Sequence, residues 1–466
     1  MTVEATTDHA TEGGSAGVLD QVRAVFATGR TRPIAWREQQ LRAIEKMCDE
    51  REAEICAALS EDLGRSAFEG WLGDVASTKA EAAFAAKHLR KWVKPKRSGL
   101  PLAHMPGRAW VQYDPLGVVL IIGPWNYPFF LCLSPLVAAV AAGNAAVIKP
   151  SELAPATSAL IARLVPQYLD PEAVRVVVGA AEATQDLLSQ GFDHALFTGG
   201  TEIGRKIMAA AAPTLTPVTL ELGGKSPVLV LPDAEIDVAA RRIAWTKLLN
   251  SGQTCIAPDY VLADRSIARE LTDKIVSTIA KFRADEPDAA LRIVNERQFD
   301  RLVALISATE GTVVTGGGSD RDALRIQPTV VVDPPADDPV MSDELFGPIL
   351  PIITVDSTEQ AVAFVNSRPK PLALYVFTKD QQRGRALVDR MPSGGAVINH
   401  IAMHCLAPQL PFGGVGASGM GAYHGQWGFE ALSHRRAVLS KPAKPDPGLL
   451  YPPYTKWSKG VLRRLL

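Results

Sequence analysis

An uncharged stretch of 33 residues, from 116 to 148, constrains this chain more than any other feature of its sequence. A membrane-spanning helix needs about 20 continuous apolar residues. Here Gly-Pro at 123–124, Pro128 and Gly-Asn at 143–144 divide the stretch into pieces of strand and short-helix length. The pattern therefore predicts a strand, a helix and a second strand buried on both faces, and no spanning segment.

Strand-like and helix-like segments alternate regularly after residue 117. The predicted strands are Val118–Ile122, Ala146–Lys149, Arg175–Val178, Ala195–Thr198 and Val218–Leu222, and the predicted helices lie near 129–142, 155–168, 182–190 and 202–212. A second alternation runs from residue 224 to about residue 399 and contains the segments PVLVL, TVVVD, PILPIITV and ALYVF. This pattern is typical of open parallel sheets covered by helices, so we expect an α/β fold with two open α/β domains.

The composition narrows the class of protein. A chain of 466 residues is too long for one core. Its 21% charged residues and formal net charge of −1 give no indication of a nucleic-acid partner. The five cysteines are scattered and contain no C-x-x-C pair, which favours free thiols in a reducing cytoplasm. We predict no metal site.

The two ends and one internal segment depart from the alternation. Residues 1–17 are small and polar and are predicted to be disordered. Between 93 and 115, prolines and basic residues predict an excursion from the main body. The chain ends in KWSKGVLRRLL, which is too short to span a bilayer. Its basic and leucine residues favour at most weak, salt-sensitive contact with an anionic membrane surface.

Cys255 lies in the segment NSGQTCIAPDY. A buried core cysteine usually has apolar neighbours on a helix or strand. Gly252 and Pro258 predict a loop instead, on which a ligand can reach the thiol. Cys255 is therefore a candidate nucleophile, and because no histidine motif accompanies it, the residues give no support to a cysteine–histidine hydrolase.

Two further side chains suit a reaction at a thiol. Glu221 ends an apolar strand before two glycines, so burial is expected to raise its pKa toward that of a useful base. The alternative is a carboxylate paired with an arginine. Asn126, in GPWNYP, carries an amide that can donate to a developing oxyanion. The alternative is an ordinary turn asparagine.

A glycine-rich turn follows the fourth predicted strand, in FTGGTEIG. Gly199, Thr201 and Gly204 stand at the start of a predicted helix, where free N–H groups favour a phosphate. The alternative is an ordinary strand-to-helix turn. The G-x-G-x-x-G at 414–419 does not follow a strand, and we reject it as a dinucleotide loop.

Lys149 and Glu152 end a strand at the edge where such sheets bind ligands, and Lys149 can hold ribose hydroxyls there. The alternative is a solvated lysine after a strand. Glu344 and Phe346 precede another strand, where the alternative for each is a core or cap residue. A thiol, a carboxylate, an amide donor and a dinucleotide fold together suit oxidation of an aldehyde through a covalent thioester.

Eight segments in order resemble the aldehyde dehydrogenase superfamily, and most closely its class 3 branch, which includes fatty aldehyde dehydrogenases. They are GPWNYPF, AAGNAAVIKPSE, FTGGTEIG, PVTLELGGKSP, NSGQTCIAPDY, DELFGPILPI, KPLALYVF and PFGGVGASGMGAYHG. The resemblance implies a Rossmann-like NAD(P)-binding domain at 18–92 and 116–223, a catalytic domain at 224–417, and an oligomerisation arm with a C-terminal tail at 93–115 and 418–466. It also implies a homodimer.

The resemblance assigns roles to individual residues. Cys255 matches the nucleophile, Glu221 the general base and Asn126 the oxyanion donor. The cofactor would contact Lys149, Glu152, Gly199, Gly200, Thr201, Glu202, Ile203, Gly204, Glu344 and Phe346. A substrate tunnel would be lined by Trp71, Tyr127, Met403, His404 and Phe412, which favours medium- or long-chain and aromatic aldehydes. Ser251 stands where close relatives often carry a second cysteine, so disulfide inactivation is not expected.

Two questions stay open at this point. Glu152 is expected to repel a 2′-phosphate and so to favour NAD, yet the class 3 branch resembles enzymes that use both NAD and NADP. The alternatives to acid formation are a CoA-acylating dehydrogenase, which needs no water-activating Glu221, and a non-catalytic member, which would have lost Cys255 or Glu221.

Overall fold

The computed structural model describes residues 17–285, 292–446 and 448–465. Residues 1–16, which belong to the segment predicted to be disordered, lie outside the described residues. The helices are α1 (Val18–Ala27), α2 (Ile34–Leu63), α3 (Ala67–Gly70), α4 (Ala76–Trp92), α5 (Phe130–Ala142), α6 (Pro155–Tyr168), α7 (Ala181–Ser189), α8 (Thr201–Ala211), α9 (Ile236–Leu248), α10 (Ala268–Asp285), α11 (Glu296–Ala308), α12 (Pro339–Ser342), α13 (Thr358–Asn366), α14 (Gln381–Arg390), α15 (Gly425–Ala431) and α16 (Lys456–Leu465).

The strands are β1 (Lys96–Ser98), β2 (Arg108–Pro115), β3 (Val118–Ile122), β4 (Ala145–Lys149), β5 (Val174–Val176), β6 (His194–Thr198), β7 (Val218–Glu221), β8 (Pro227–Val230), β9 (Tyr260–Asp264), β10 (Thr312–Thr315), β11 (Ser319–Asp320), β12 (Arg325–Ile326), β13 (Thr329–Val332), β14 (Ile349–Val355), β15 (Ala373–Phe377), β16 (Gly395–Ile398), β17 (Gly419–Met420) and β18 (Ser433–Ser440). The strands and helices predicted between 118 and 222 are confirmed, with small shifts of their ends.

The uncharged stretch forms β3, α5 and β4, as its pattern predicts. Both strands are buried along their whole length, and their side chains pack on both faces of the sheet. Pro135 lies inside α5 and is buried. None of the described helices is long and apolar enough to cross a membrane.

The first sheet has the order β17-β7-β6-β3-β4-β5, and its strands are parallel except for β17. From β3 the chain proceeds outward through β4 and β5, then returns to the other side of β3 with β6 and β7. The order therefore reverses between β3 and β6. At such a switch point the loops at the carboxyl ends of the strands separate and leave a crevice for a ligand.

The second sheet has the order β10-β13-β14-β9-β8-β15-β16, and only β10 runs antiparallel. Since β9 and β14 are parallel neighbours, the loops that precede them meet at the same amino edge. A short link from Glu221 to Pro227 joins the carboxyl edge of the first sheet to the amino edge of the second. The two edges consequently face each other.

A third, three-stranded sheet has the order β1-β2-β18 and contains the segment predicted as an arm. The second segment predicted for the arm and tail is 418–466, and the first part of this segment packs differently from the prediction. β17 pairs with β7 in the first sheet, and Phe429 and Leu432 are buried in the core formed by α2, α4 and α5. β17, Phe429 and Leu432 therefore pack with the first α/β body, whereas Tyr423, between them in the chain, is buried with Phe412 in the core of the second sheet.

Asn144 ties this returning segment to the first sheet. Its side chain is fully buried, accepts a hydrogen bond from the Gly117 N–H at 3.0 Å and donates to the Leu432 carbonyl at 2.8 Å.

We expect Asn144→Ala to destabilise the protein by ~2–4 kcal/mol, because it leaves a buried donor and a buried acceptor without partners. The measurement is urea unfolding followed by circular dichroism. The control is Asn366→Ala, which removes an exposed amide bonded to the Arg390 carbonyl and should cost less than ~0.5 kcal/mol. Equal losses in the two variants would contradict this account of Asn144.

Candidate active site

A cavity of about 640 Å³ lies between the carboxyl edge of the first sheet and the loops that precede β9 and β14. Ten of the predicted site residues line it: Asn126, Lys149, Glu152, Gly199, Gly200, Ile203, Glu221, Cys255, Glu344 and Phe346. The structure thus brings together side chains that are more than two hundred positions apart in the chain.

Three residues of the predicted glycine-rich turn do not line this cavity. The Thr201 hydroxyl donates to the Ala417 carbonyl at 3.3 Å, and Glu202 is exposed and paired with Arg205. A Cβ at Gly204 would lie 2.6 Å from the Leu222 side chain. Gly204 therefore lets α8 approach the end of β7, so its role is in packing.

The loop that carries Cys255 has an unusual backbone. Asn250, Ser251 and Gly252 all adopt the left-handed region, with φ of 49°, 57° and 71°. A Cβ at Gly252 would lie 2.3 Å from the Gly347 carbonyl oxygen, so this position admits only glycine. Consecutive left-handed residues store strain of the kind found at functional sites.

The Cys255 thiol is half-buried and faces the cavity. Burial raises the pKa of this thiol well above its usual value, and Glu344, Cys405 and Glu221 raise it further by electrostatic repulsion. A bound cation or a base is therefore needed to favour the thiolate.

Glu221 is 2% exposed at the end of β7. None of the described residues donates a hydrogen bond to either carboxylate oxygen, so the alternative of a pair with an arginine is wrong. Burial raises the pKa of this carboxyl well above its usual value, as its sequence context predicts. A desolvated carboxylate without a partner is a strong proton acceptor.

The Asn126 side chain donates through Nδ2 to the Gln253 carbonyl at 3.1 Å. Gln253 lies two residues before Cys255, so this bond fixes the amide beside the thiol loop. Because Nδ2 carries two hydrogens and one is used here, the second remains for an oxyanion. Asn126 is therefore no ordinary turn residue.

Glu344 and Phe346 flank Leu345, and the main chain of Leu345 is held on both sides. The Asp259 carboxylate accepts from the Leu345 N–H at 2.9 Å, and Arg301 donates to the Leu345 carbonyl at 2.6 Å. Lys225 binds Asp259 and donates to the Asp343 carbonyl at 2.8 Å. The aromatic ring of Phe346 contacts Trp125 edge-on, at 5.2 Å between ring centroids.

The predicted substrate residues lie outside the large cavity. Trp71 is partly exposed beside Phe68, and the Tyr127 hydroxyl bonds Thr254, the residue before Cys255, at 2.9 Å. His404 and Phe412 are buried in ring contact at 5.8 Å, and half-buried Met403 precedes His404. Phe412 belongs to the core cluster against which Cys255 packs.

His400 and His404 are four positions apart, a spacing that can bind a metal ion on a helix. Here His400 Nδ1 accepts from the Ile401 N–H at 2.8 Å. Burial, together with His424, lowers the pKa of His404 to about 4. Within the described ranges, no three His, Cys, Asp or Glu side chains are grouped to hold a metal ion.

Sequence reasoning missed the side chains that hold the site loops in place. These are Arg65, Asp74, Lys225, Asn250, Gln253, Asp259 and Arg301. A single charged or amide residue carries no local signal of this role, because its partners lie far away in the chain.

The comparison with known proteins decides the family. The sequence model of the aldehyde dehydrogenase family matches residues 2–438. The chain belongs to this family. It is 44% identical over 97% of its length to aldehyde dehydrogenase family 3 member H1 of Arabidopsis thaliana, and covers 95% of that protein.

Two further relatives are similar over nearly the whole chain. The dimeric, NADP-preferring aldehyde dehydrogenase of Rattus norvegicus is 44% identical, with 91% of this chain and 94% of the rat protein covered. The substrate-bound structure of AldH from Staphylococcus aureus is 39% identical, with a TM-score of 0.92 and coverage of 96% and 99%.

The protein is accordingly an aldehyde dehydrogenase of the class 3 branch, with two α/β domains, and it oxidises aldehydes to carboxylic acids with NAD(P).

The cavity fits such a cofactor. Gly200 lies at the start of α8, where free N–H groups favour phosphate, and a Cβ there would meet no atom within 4 Å. Lys149 and Glu152 form a pair at 2.7 Å that borders the same cavity and can bind ribose hydroxyls. Partial burial raises the pKa of Glu152, but the hydrogen bond and charge of Lys149 outweigh it and lower the net pKa.

The electrostatics of Glu344 predict a pH-dependent stability. Burial first, and Asp259 second, raise the pKa of Glu344 to about 8, against the opposing effects of the Gly224 N–H, Lys225 and Arg301. A carboxyl whose pKa is raised in the folded state contributes its full stability to the fold at pH values below its unfolded-state pKa near 4.5. This contribution is lost as the pH rises through its folded-state pKa of about 8.

We therefore expect Glu344→Gln to gain thermal stability relative to wild type as the pH rises from about 5 to about 9, because glutamine does not ionise. The measurement is the Tm of both cofactor-free proteins at several pH values. The control Glu202→Gln, in an exposed pair, should follow the wild-type curve. Parallel curves for wild type and Glu344→Gln would show that this carboxyl does not titrate in that range.

Proposed function

We propose that Cys255 is the nucleophile of this aldehyde dehydrogenase, Glu221 its general base and Asn126 its oxyanion donor. The observation that carries the proposal is the set of side chains that meet where the carboxyl edge of the first sheet faces the amino edge of the second. There a bonded Asn126 amide, a reachable thiol and an unpartnered carboxylate border one cavity.

In the first half-reaction, the Cys255 thiolate adds to the aldehyde carbon and forms a C–S bond. The negative charge moves to the carbonyl oxygen, where the Asn126 amide and the Cys255 N–H stabilise it. NAD(P), when bound, would supply the hydride acceptor and the positive charge of its nicotinamide ring. Transfer of hydride from the thiohemiacetal carbon to that acceptor, with the oxyanion electrons forming the carbonyl, would leave a thioester on Cys255.

In the second half-reaction, the Glu221 carboxylate accepts a proton from a water molecule, and the oxygen of that water attacks the thioester carbon. The C–S bond then breaks and Cys255 leaves as the thiolate, the carboxylic acid is released, and Glu221 gives up its proton to solvent. Transfer to the thiol of CoA would need no such base, so the buried, unpartnered Glu221 favours hydrolysis over the CoA-acylating alternative.

Glu221→Gln should separate the two half-reactions, because the side chain keeps its shape but loses the proton acceptor. We expect steady-state turnover to fall by about 10²–10⁴-fold, while one equivalent of NADH per site forms in a burst. The measurements are stopped-flow absorbance and mass spectrometry of the acylated peptide that contains Cys255.

Cys255→Ala serves as the control and should show no burst. If Glu221→Gln also loses the burst, then Glu221 acts earlier, most simply by deprotonating the thiol. An unchanged steady-state rate in Glu221→Gln would refute its assignment as the base.

The substrate class we propose is medium- or long-chain aliphatic and aromatic aldehydes. The support is the apolar and aromatic character of the side chains packed near Cys255, which include Tyr127, His404 and Phe412. Burial makes His404 neutral at physiological pH, so none of these three groups presents a charge. Rates with hexanal, decanal, benzaldehyde and glyceraldehyde test the proposal, and a preference for glyceraldehyde would overturn it.

For the cofactor we propose a preference for NAD with NADP also used, since the Glu152 carboxylate at the ribose position repels a 2′-phosphate. The NADP-preferring rat relative supports use of both.

Glu152→Gln should raise kcat/KM for NADP, by roughly tenfold, because one unfavourable charge contact is removed. Steady-state kinetics with both cofactors measure the effect. Glu202→Gln removes the same charge on the neighbouring turn, outside the cavity, and should change neither value. A wild type that strongly prefers NADP would contradict the proposal.

We also propose a cytoplasmic homodimer whose arm is the β1-β2-β18 sheet, supported by the dimeric rat relative and by the exposed Leu439 of β18. Light scattering tests the dimer. The proposed domain bounds are those expected from the sequence, except that β17 and residues 425–432 join the NAD(P)-binding domain. The basic, exposed helix α16 would make at most weak contact with anionic lipid, which liposome flotation at low and high salt tests.

A further inference from the structure

Arg65 lies between the loop of Asn126 and the loop of Cys255, and it touches both. Its side chain is 2% exposed. Nε donates to the Asn250 side chain at 3.0 Å, and Nη2 donates to the Asn126 carbonyl oxygen. The guanidinium also covers the face of the Tyr127 ring, at 4.2 Å from Cζ to the centroid.

Asp74 forms a buried ion pair with Arg65. Its side chain is fully buried, and its Oδ2 accepts from Arg65 Nη1 at 2.5 Å. The other oxygen, Oδ1, accepts from the N–H groups of Phe129 and Phe130 at 3.1 and 2.9 Å. The pair therefore fixes the start of α5 as well, immediately after the Asn126 loop.

Asn250 completes the connection between the two loops. Its Nδ2 donates to the Asn126 carbonyl at 3.0 Å and to the Gln253 carbonyl at 3.1 Å, the same carbonyl that the Asn126 amide binds. Arg65 thus orients Asn250, whose backbone is left-handed. Asn250 in turn bonds both the loop of Asn126 and the loop of Cys255.

We propose that Arg65 is a positioning residue: it fixes the Asn126 amide relative to the Cys255 loop through the Asn126 carbonyl and the Asn250 side chain. The inference rests on the proposed roles of Asn126 and Cys255. Arginine suits this position because its planar guanidinium reaches three acceptors in fixed directions, here Asp74, Asn126 and Asn250. Among the described residues, the hydrogen-bond partners of the Arg65 side chain are Asp74, Asn126 and Asn250, and neither Cys255 nor Glu221 is one of them.

The test separates positioning from stability. Arg65→Met leaves the Asp74 charge buried and unpaired, which destabilises the fold. Arg65→Met/Asp74→Asn removes both charges, keeps an acceptor for Phe129 and Phe130, and should recover most of the Tm. It still lacks the donors to Asn126 and Asn250, so kcat/KM for the aldehyde should stay about 10²-fold below wild type, near the cost of a lost oxyanion donor.

Two further variants complete the design. Arg65→Lys keeps the charge opposite Asp74 and should fold even if Arg65→Met does not, with a smaller loss of about tenfold. Arg37→Met removes another buried arginine, bonded at 3.1 Å to the Ala141 carbonyl at the C-terminal end of α5, the end away from the Asn126 loop. It should lower the Tm without lowering kcat/KM. Dissociation constants for NAD, from fluorescence titration, should change less than about twofold in all of them, because Arg65 does not border the cofactor cavity.

The decisive comparison is a double-mutant cycle with Asn126→Ala. If Arg65 acts through Asn126, the losses do not multiply, and adding Arg65→Met/Asp74→Asn to Asn126→Ala should cost less than about threefold. The proposal is overturned if the losses multiply, or if Arg65→Met/Asp74→Asn regains wild-type kcat/KM together with its Tm. Full activity of Asn126→Ala alone would refute the role proposed for Asn126, and with it the route by which Arg65 acts.

Discussion

A hydrogen bond of 3.1 Å from the Asn126 amide to the Gln253 carbonyl joins the two α/β bodies of this molecule beside the active-site cavity. One partner belongs to the loop after β3 of the first sheet, and the other to the loop before β9 of the second. Neither sheet contains a site alone. The cavity lies where the carboxyl edge of one sheet faces the amino edge of the other, and this bond, together with those of Asn250 and Arg65, links the loop of Asn126 to the loop of Cys255.

The cavity concentrates acidic groups away from water. Burial raises the pKa values of Glu221, Glu344 and Cys255, and their mutual repulsion adds to the effect at Cys255. Without a cation nearby, such groups favour their neutral forms. A positively charged nicotinamide ring bound in this cavity would therefore favour the thiolate form of Cys255.

Rigid support and strain occur together around the thiol. Consecutive left-handed residues precede Cys255, and Phe346, on the facing loop, also has a positive φ of 48°. Buried ionic pairs hold both loops, Arg65 with Asp74 on one side and Lys225 with Asp259 on the other. Hydrogen bonds from side chains of distant elements thus maintain backbone conformations that the local sequence would not adopt alone.

Much of this protein follows from local sequence pattern. Apolar runs punctuated by glycine and proline predicted the strands and helices of the first sheet, and turn residues around Cys255 predicted an accessible thiol. The burial of Glu221 and its raised pKa also followed from its apolar neighbours. These features depend on residues a few positions apart, so the sequence displays them directly.

Other features were decided only by the tertiary structure. Arg65, Asn250 and Asp259 have no local signal, because each contacts segments that lie far away in the chain. Gly204 looked like part of a phosphate-binding turn but lies against Leu222, since the approach of α8 to β7 decides which glycine faces the cavity. Residues 425–432 return to the first α/β body because Phe429 and Leu432 bury their side chains there. A sequence determines which residues form each strand, helix and loop; the packing of these elements decides which side chains meet, since contacts between distant segments form only when the sheets assemble.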